Sequence, residues 1–214
     1  MNSAFDKLPD EKKQRILNIC LEEFAMNGYE NTSTNQIIKR AGISKGLLFH
    51  YFKNKKGLFM YLVDHSTRVI SDNVYKKIST IEQTDFFERI KQITVIKMNL
   101  CLIYPNEYQI IMKGFIDTPK DLQEDMNHLY KKIYEDVYEA NDKYLFAYLK
   151  DEDLRPGLTR KFVLDYTLNV MDQLNRSLLQ AYKGKEQELL INPQPFLDQL
   201  NQYFDVIQHG VYQS

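Results

Sequence analysis

"AGISKGLLFHYFKNKKGLF", residues 41–59, sets Ser44 before an eight-residue helical stretch, packs Phe49, Tyr51 and Phe52 around His50, and then places Lys53, Lys55 and Lys56 almost in a row. Ser44 suits an N-cap, and Leu48 and Phe52 fall on one face at i, i+4. That face fills the inward stripe of so short a helix, which leaves Lys45, Leu47, Phe49 and His50 on other faces. The segment just before it, "NTSTNQIIKRAG" (31–42), offers Ser33 as an N-cap, Ile37, Ile38 and Ala41 as an apolar face, and Gly42 as a stop. Two helices of about two turns cannot stand alone in water. They must be held between longer neighbours, as in a helix-turn-helix unit.

Those neighbours are visible on either side. Pro9, Asp10 and Glu11 open a helix whose Ile16, Leu17, Cys20, Leu21, Phe24 and Ala25 share a face, with Gly28 as the expected left-handed cap. Asn54 caps another that carries Leu58, Phe59, Leu62 and Val63 and runs to about residue 80. Beyond it the helical period predicts further helices at about 84–104, 106–116, a long stretch from Leu122 to Leu145, 158–183 and 195–209. "DEDLRPG" (151–157) and "GKEQELLINPQP" (184–195) read as loops, and no period-two strand signal stands out. The expected class is all-α, with about nine helices.

Composition narrows the function. No run approaches the roughly 20 apolar residues of a membrane span, and "MNSAFDKLPDEKK" lacks the apolar core of a signal peptide, so a cytoplasmic address is expected. Cys20 and Cys101 lie on apolar faces and read as core residues; the histidines at 50, 65, 128 and 209 show no ligand spacing, so neither metal nor cofactor is expected. The net charge of −1 conceals an asymmetry: residues 1–58 carry +4 and residues 59–214 carry −5. Between Glu30 and Asp64 no acidic residue occurs, while Lys39, Arg40, Lys45, Lys53, Lys55 and Lys56 all fall there. Such a basic field at helix N-termini, with Gly46 letting the backbone come close, is suited to phosphate. Ser33 and Ser44 could cap their helices or donate to a phosphate.

The frame "ILNICLEEFAMNGYENTSTNQII" (16–38) followed by residues 41–59 resembles the DNA-binding domain of the TetR family of bacterial transcriptional repressors. The resemblance implies a helix-turn-helix DNA-binding domain at 1–56 and a helical ligand-binding and dimerisation domain at 57–214. It implies that the second helix of the pair enters the major groove. It also implies DNA contacts from Ser33, Thr34, Ser44, Lys45, Gly46, His50, Tyr51 and Lys55. Leu47 and Phe49 stand where many members have a polar residue and a tyrosine, and suit apolar contact with a thymine methyl.

The remaining residues bear on partners. Residues 59–214 hold 13 Tyr and 8 Phe, with Tyr130, Tyr134 and Tyr138 at i, i+4, i+8, which suggests an aromatic-lined cavity for a small, apolar or aromatic effector. Phe162, Tyr166, Val170, Leu174 and Leu178 form one stripe, and Phe196, Leu200, Phe204 and Ile207 another. Two such faces in successive C-terminal helices predict a homodimer interface, and hence a palindromic double-stranded operator. The function expected is that of a repressor released from DNA by its effector. The alternative is an all-helical enzyme with a basic surface, but no nucleophile–base set or phosphate loop stands in the sequence, so no catalytic residue is assigned.

Overall fold

Ser33 and Ser44 do cap short helices. In the computed structural model, which describes residues 3–182 and 185–211, the Ser33 hydroxyl accepts from the Gln36 amide at 3.4 Å and opens α3 (Thr34–Ala41). The Ser44 hydroxyl accepts from the Leu47 amide at 3.1 Å and opens α4 (Lys45–Phe52). Gly42 between them adopts φ 62°, a left-handed conformation that glycine reaches without strain, and its amide closes α3 on the Ile38 carbonyl.

Two elements precede this pair: a single turn, α1 (Ser3–Asp6), and the long α2 (Asp10–Asn31). Gly28 does not end α2 as expected. At φ 71° it kinks the helix, which continues for one turn to Asn31. The buried Thr32 hydroxyl lies 2.5 Å from the Gly28 carbonyl oxygen and so serves a group the kink leaves without its helical partner.

The pair is followed by α5 (Lys55–Ile78), capped by the Asn54 side chain, which accepts from the Gly57 amide at 2.8 Å. The chain enters α5 through a tight turn: Lys53 sits at φ 64°, and the Asn54 amide reaches back to the Phe52 carbonyl at 2.7 Å. A Cβ at Gly57 would collide with that same carbonyl oxygen, so the turn needs glycine there. Then come α6 (Phe86–Ile103), α7 (Pro105–Phe115), α8 (Gln123–Tyr144), α9 (Arg160–Ala181), α10 (Glu186–Ile191) and α11 (Gln194–Val211). The stretch 184–195, expected as a loop, contains α10, whose Leu189 is buried. One turn is too short for periodicity to announce.

The chain divides into two compact units, with boundaries inside α5 and α8. One holds the chain up to Asp72 together with Tyr104–Tyr134; the other holds Asn73–Ile103 and the chain from Glu135 on. In the first, Ile16, Leu17, Cys20, Leu21 and Phe24 of α2 meet Ile37 and Ala41 of α3, Leu48 and Phe52 of α4 and Leu58, Phe59 and Leu62 of α5. Here the two short helices find their support. Helix α7 comes so close to α5 that a Cβ on Gly114 would lie 2.9 Å from Val63 Cγ2. In the second unit α6 packs on α10 and α11, and α11 on α9, with Phe87 meeting Phe204 edge-on at 5.1 Å. No described helix is long and apolar enough to cross a membrane.

Candidate nucleic-acid interface

The outer side of α4 is polar and basic. Lys45, Gly46 and His50 are exposed, Leu47 and Phe49 are half-buried, and Leu48, Tyr51 and Phe52 are buried. The side chains of Lys39, Lys45 and Lys53 are exposed and form no ion pair among the described residues, so their charge is unneutralised by protein. Thr34 is half-buried at the start of α3 and Ser33 is exposed, both beside a helix N-terminus with free amides.

Tyr51 is the sequence-predicted residue least available as a contact. Its ring is buried and packs edge-on against Phe5 at 5.4 Å, while His50 lies outside it at 5.7 Å. Lys55 is already engaged: its ammonium donates to the Glu30 carbonyl at 2.8 Å and lies 5.2 Å over the Tyr29 ring. Its neighbour Lys56 pairs with Asp125 at 2.5 Å, which raises the lysine pKa and lowers that of the aspartate. The Tyr29 hydroxyl in turn donates to Asp121 at 3.3 Å, and burial followed by that carboxylate raises its pKa. Arg40 is likewise occupied, holding Glu22 at 2.5 Å and Glu23 at 2.7 Å and tying α3 to α2. The basic field between Glu30 and Asp64 is therefore two populations: Lys39, Lys45 and Lys53 face solvent, whereas Arg40, Lys55 and Lys56 hold elements together. An open recess of about 250 Å³ lies beside Tyr29 and Glu30, walled by Lys113, Asp117 and Pro119.

Sequence reasoning missed Phe5. It is fully buried between Tyr51, Phe52 at 4.8 Å and Tyr61 at 5.5 Å, and so pins the C-terminal end of α4 to α5. Asp6 reinforces it by accepting from the Tyr61 hydroxyl at 3.1 Å. A lone phenylalanine in a polar N-terminal stretch was the only signal.

The stripes expected at a dimer interface divide between inside and outside. Leu174, Phe196, Leu200, Phe204 and Ile207 are buried within the protomer, and Val170 and Leu178 are half-buried. Phe162 (55% exposed) and Tyr166 (49%) stack face to face on the surface of α9, and Val206 (73%) and Tyr203 stand exposed on α11. Val206 and Tyr203 lie off the stripe read from the sequence. Of the tyrosines on α8, Tyr130 is partly exposed and meets Phe115 at 5.9 Å; the side chains of Tyr134 and Tyr138 lie outside the described residues.

Two short capped helices around a left-handed glycine, held by a longer helix on each side, define a helix-turn-helix domain, here within an all-helical chain. Residues 16–62 match the family model described as bacterial regulatory proteins, tetR family. That match runs from within α2 into α5 and so covers the helix-turn-helix unit. The chain is 40% identical over 52 residues to the HTH-type transcriptional regulator QacR of Staphylococcus aureus, a match that spans 24% of this chain and 28% of QacR. A second S. aureus HTH-type regulator is 23% identical over 155 residues, spanning 71% of this chain and 80% of the relative. Among solved structures, a transcriptional regulator from Saccharomonospora viridis in complex with choline has a TM-score of 0.67 at 18% identity, covering 96% of this chain and 100% of the other. That likeness extends the fold to nearly the whole chain.

Proposed function

We propose that the chain is a sequence-specific, ligand-responsive DNA-binding regulator of the bacterial cytoplasm, acting as a homodimer that represses transcription until an effector releases it. Residues 1–56 read DNA, and residues 57–214 hold the effector and the partner subunit. The observation that carries the reading is the exposed face of α4: Lys45, Gly46 and His50 beside half-buried Leu47 and Phe49, on a helix held rigidly from behind. Phosphate contacts come from Ser33, Thr34, Lys45 with the Gly46 backbone, and His50; Leu47 and Phe49 meet base edges. Lys55 joins them by sharing its remaining donors with a phosphate while keeping the Glu30 carbonyl. Ser44 contributes through its position at the helix start, and Tyr51 by supporting His50. An enzyme with a basic surface is not favoured, since the family is one of transcriptional regulators.

The test is binding to DNA upstream of the chain's own gene across a salt series. A site-specific complex is expected whose affinity falls steeply with salt, and Lys45→Ala should flatten the slope by about two, one lysine being lost from each protomer. Leu47→Thr should change base preference more than salt dependence. Equal affinity for operator and random DNA, or an unchanged slope in a folded Lys45→Ala, would remove this surface from the reading.

The dimer rests on Phe162, Tyr166, Tyr203 and Val206, apolar side chains that a protomer of this size would otherwise leave in water on two adjacent helices. Sedimentation at micromolar concentration should give a dimer, and Phe162→Arg should give monomer. Monomer in the unmodified protein defeats the interface. A palindromic operator follows, because two recognition helices on a two-fold axis must enter major grooves about 34–36 Å apart.

A further inference from the structure

The first turn of α5 holds Lys55 and Lys56 and no acidic residue, and positive charge there works against the helix dipole. The two lysines therefore do not serve the helix that carries them. Opposite Lys56 stand the short turn Lys120–Leu122 and the start of α8, which bring Asp121, Glu124 and Asp125 together. Leu122 and Met126 anchor that stretch in the same core as Leu58, Phe59 and Leu62 of α5, so the acidic edge is fixed beside the lysine. Asp125 holds the Lys56 ammonium at 2.5 Å, and Asp121 accepts from the Tyr29 hydroxyl at 3.3 Å. The lysine pKa is raised first by the hydrogen bond to Asp125 and then, against desolvation, by the charges of Asp125, Asp121 and Glu124. Both partners of the ion pair keep 41% of their side-chain surface. A pair so open to water is weakly held, and its lysine can exchange one anion for another.

We propose that Asp125 is an internal competitor for operator DNA: its carboxylate occupies Lys56 as a phosphate would, and so limits DNA affinity from a position outside the helix-turn-helix. Lys56 adjoins the phosphate contact proposed at Lys55, and the inference rests on that DNA-binding reading. A lysine already neutralised by a protein carboxylate releases no counterion when DNA arrives. It reaches a phosphate only by leaving Asp125, and the abandoned carboxylate then faces the DNA with its charge uncompensated. Lys39, Lys45 and Lys53, exposed and without an ion pair among the described residues, carry no such cost. Asp125 thus tunes the affinity through Lys56 without touching DNA itself.

Operator titration across a salt series, together with retention of the full chain on heparin as a sequence-independent polyanion, tests the competition. Asp125→Asn should bind operator about 5- to 30-fold more tightly than the parent, because one exposed ion pair is lost from each protomer, and should steepen the salt slope by about two. Asp125→Glu, which keeps the carboxylate, should stay near the parent. In a Lys56→Met background Asp125→Asn should lose most of its effect on both affinity and slope. An equal gain without Lys56 would reveal a general field effect and overturn the inference. Unchanged operator affinity in Asp125→Asn overturns it too, and weaker binding would make Asp125 a structural tie instead. Heparin separates this inference from the reading beneath it. Later elution of Asp125→Asn that depends on Lys56, in a protein that does not prefer operator to random DNA, keeps the competition for anions and removes the sequence-specific reading. A specific operator complex that Asp125→Asn leaves unchanged does the reverse.

Discussion

Arg89→Met is expected to lower stability by about 3–5 kcal/mol, among the largest effects of any single substitution in the second unit. The guanidinium is almost fully buried, and its hydrogen bonds among the described residues all go to backbone carbonyls. Its Nε donates to the Tyr144 carbonyl at 2.7 Å, and its Nη1 donates to those of Ile81 and Gln83 at 3.0 Å each. Its Cζ lies 3.8 Å from the Tyr148 ring centroid. One side chain therefore ties the loop before α6 to the end of α8 and the turn that follows it. Methionine fills much of the volume but leaves those carbonyls short of a donor, at about 1–3 kcal/mol for each that water cannot reach. Lysine keeps the charge but lacks the planar fork, so Arg89→Lys should fall between the two. Thermal unfolding followed by circular dichroism checks this, with a drop of roughly 6–20 °C for Arg89→Met. A midpoint within a degree or two of the parent's would mean that the guanidinium carries none of this load.

Phe5→Ala is the second. Deleting a fully buried phenylalanine costs about 3–5 kcal/mol, because the lost transfer energy adds to that of the cavity left behind. Here the cavity would open between Tyr51 and Phe52 of α4 and Tyr61 of α5. The effect should therefore reach DNA. A loosened α4 must be re-ordered on binding, and operator affinity should fall about tenfold or more even at temperatures where the variant is folded. Phe5→Leu, which refills most of the space, should recover most of both losses. Operator titration at low temperature, alongside urea denaturation, separates the two readouts. Full operator affinity in a destabilised Phe5→Ala would show that α1 supports the fold without positioning α4.

The local features of this chain were legible in its sequence because their causes are local. Ser33, Gly42, Ser44 and Asn54 each act on an amide or a dihedral angle within a few residues, so the short helices α3 and α4 and the start of α5 follow from composition and spacing. The longer helices follow from the 3.6-residue period of their apolar faces. Charge was only half legible. Spacing located the basic field around α4, but whether a lysine faces solvent or holds two helices together depends on what lies opposite. Lys56 meets Asp125, 69 positions further along, and Lys55 meets the Glu30 carbonyl and Tyr29 ring of another helix. The same holds for Phe5, whose burial needs two helices far along the chain, and for Arg89, whose partners are carbonyls that carry no signature of residue type. The apolar stripe of α11 shows the limit from the other side. Periodicity marks Phe196, Leu200, Phe204 and Ile207 as a face to be covered, and the fold decides that the chain's own core covers it, because burial is a property of the neighbours rather than of the residue.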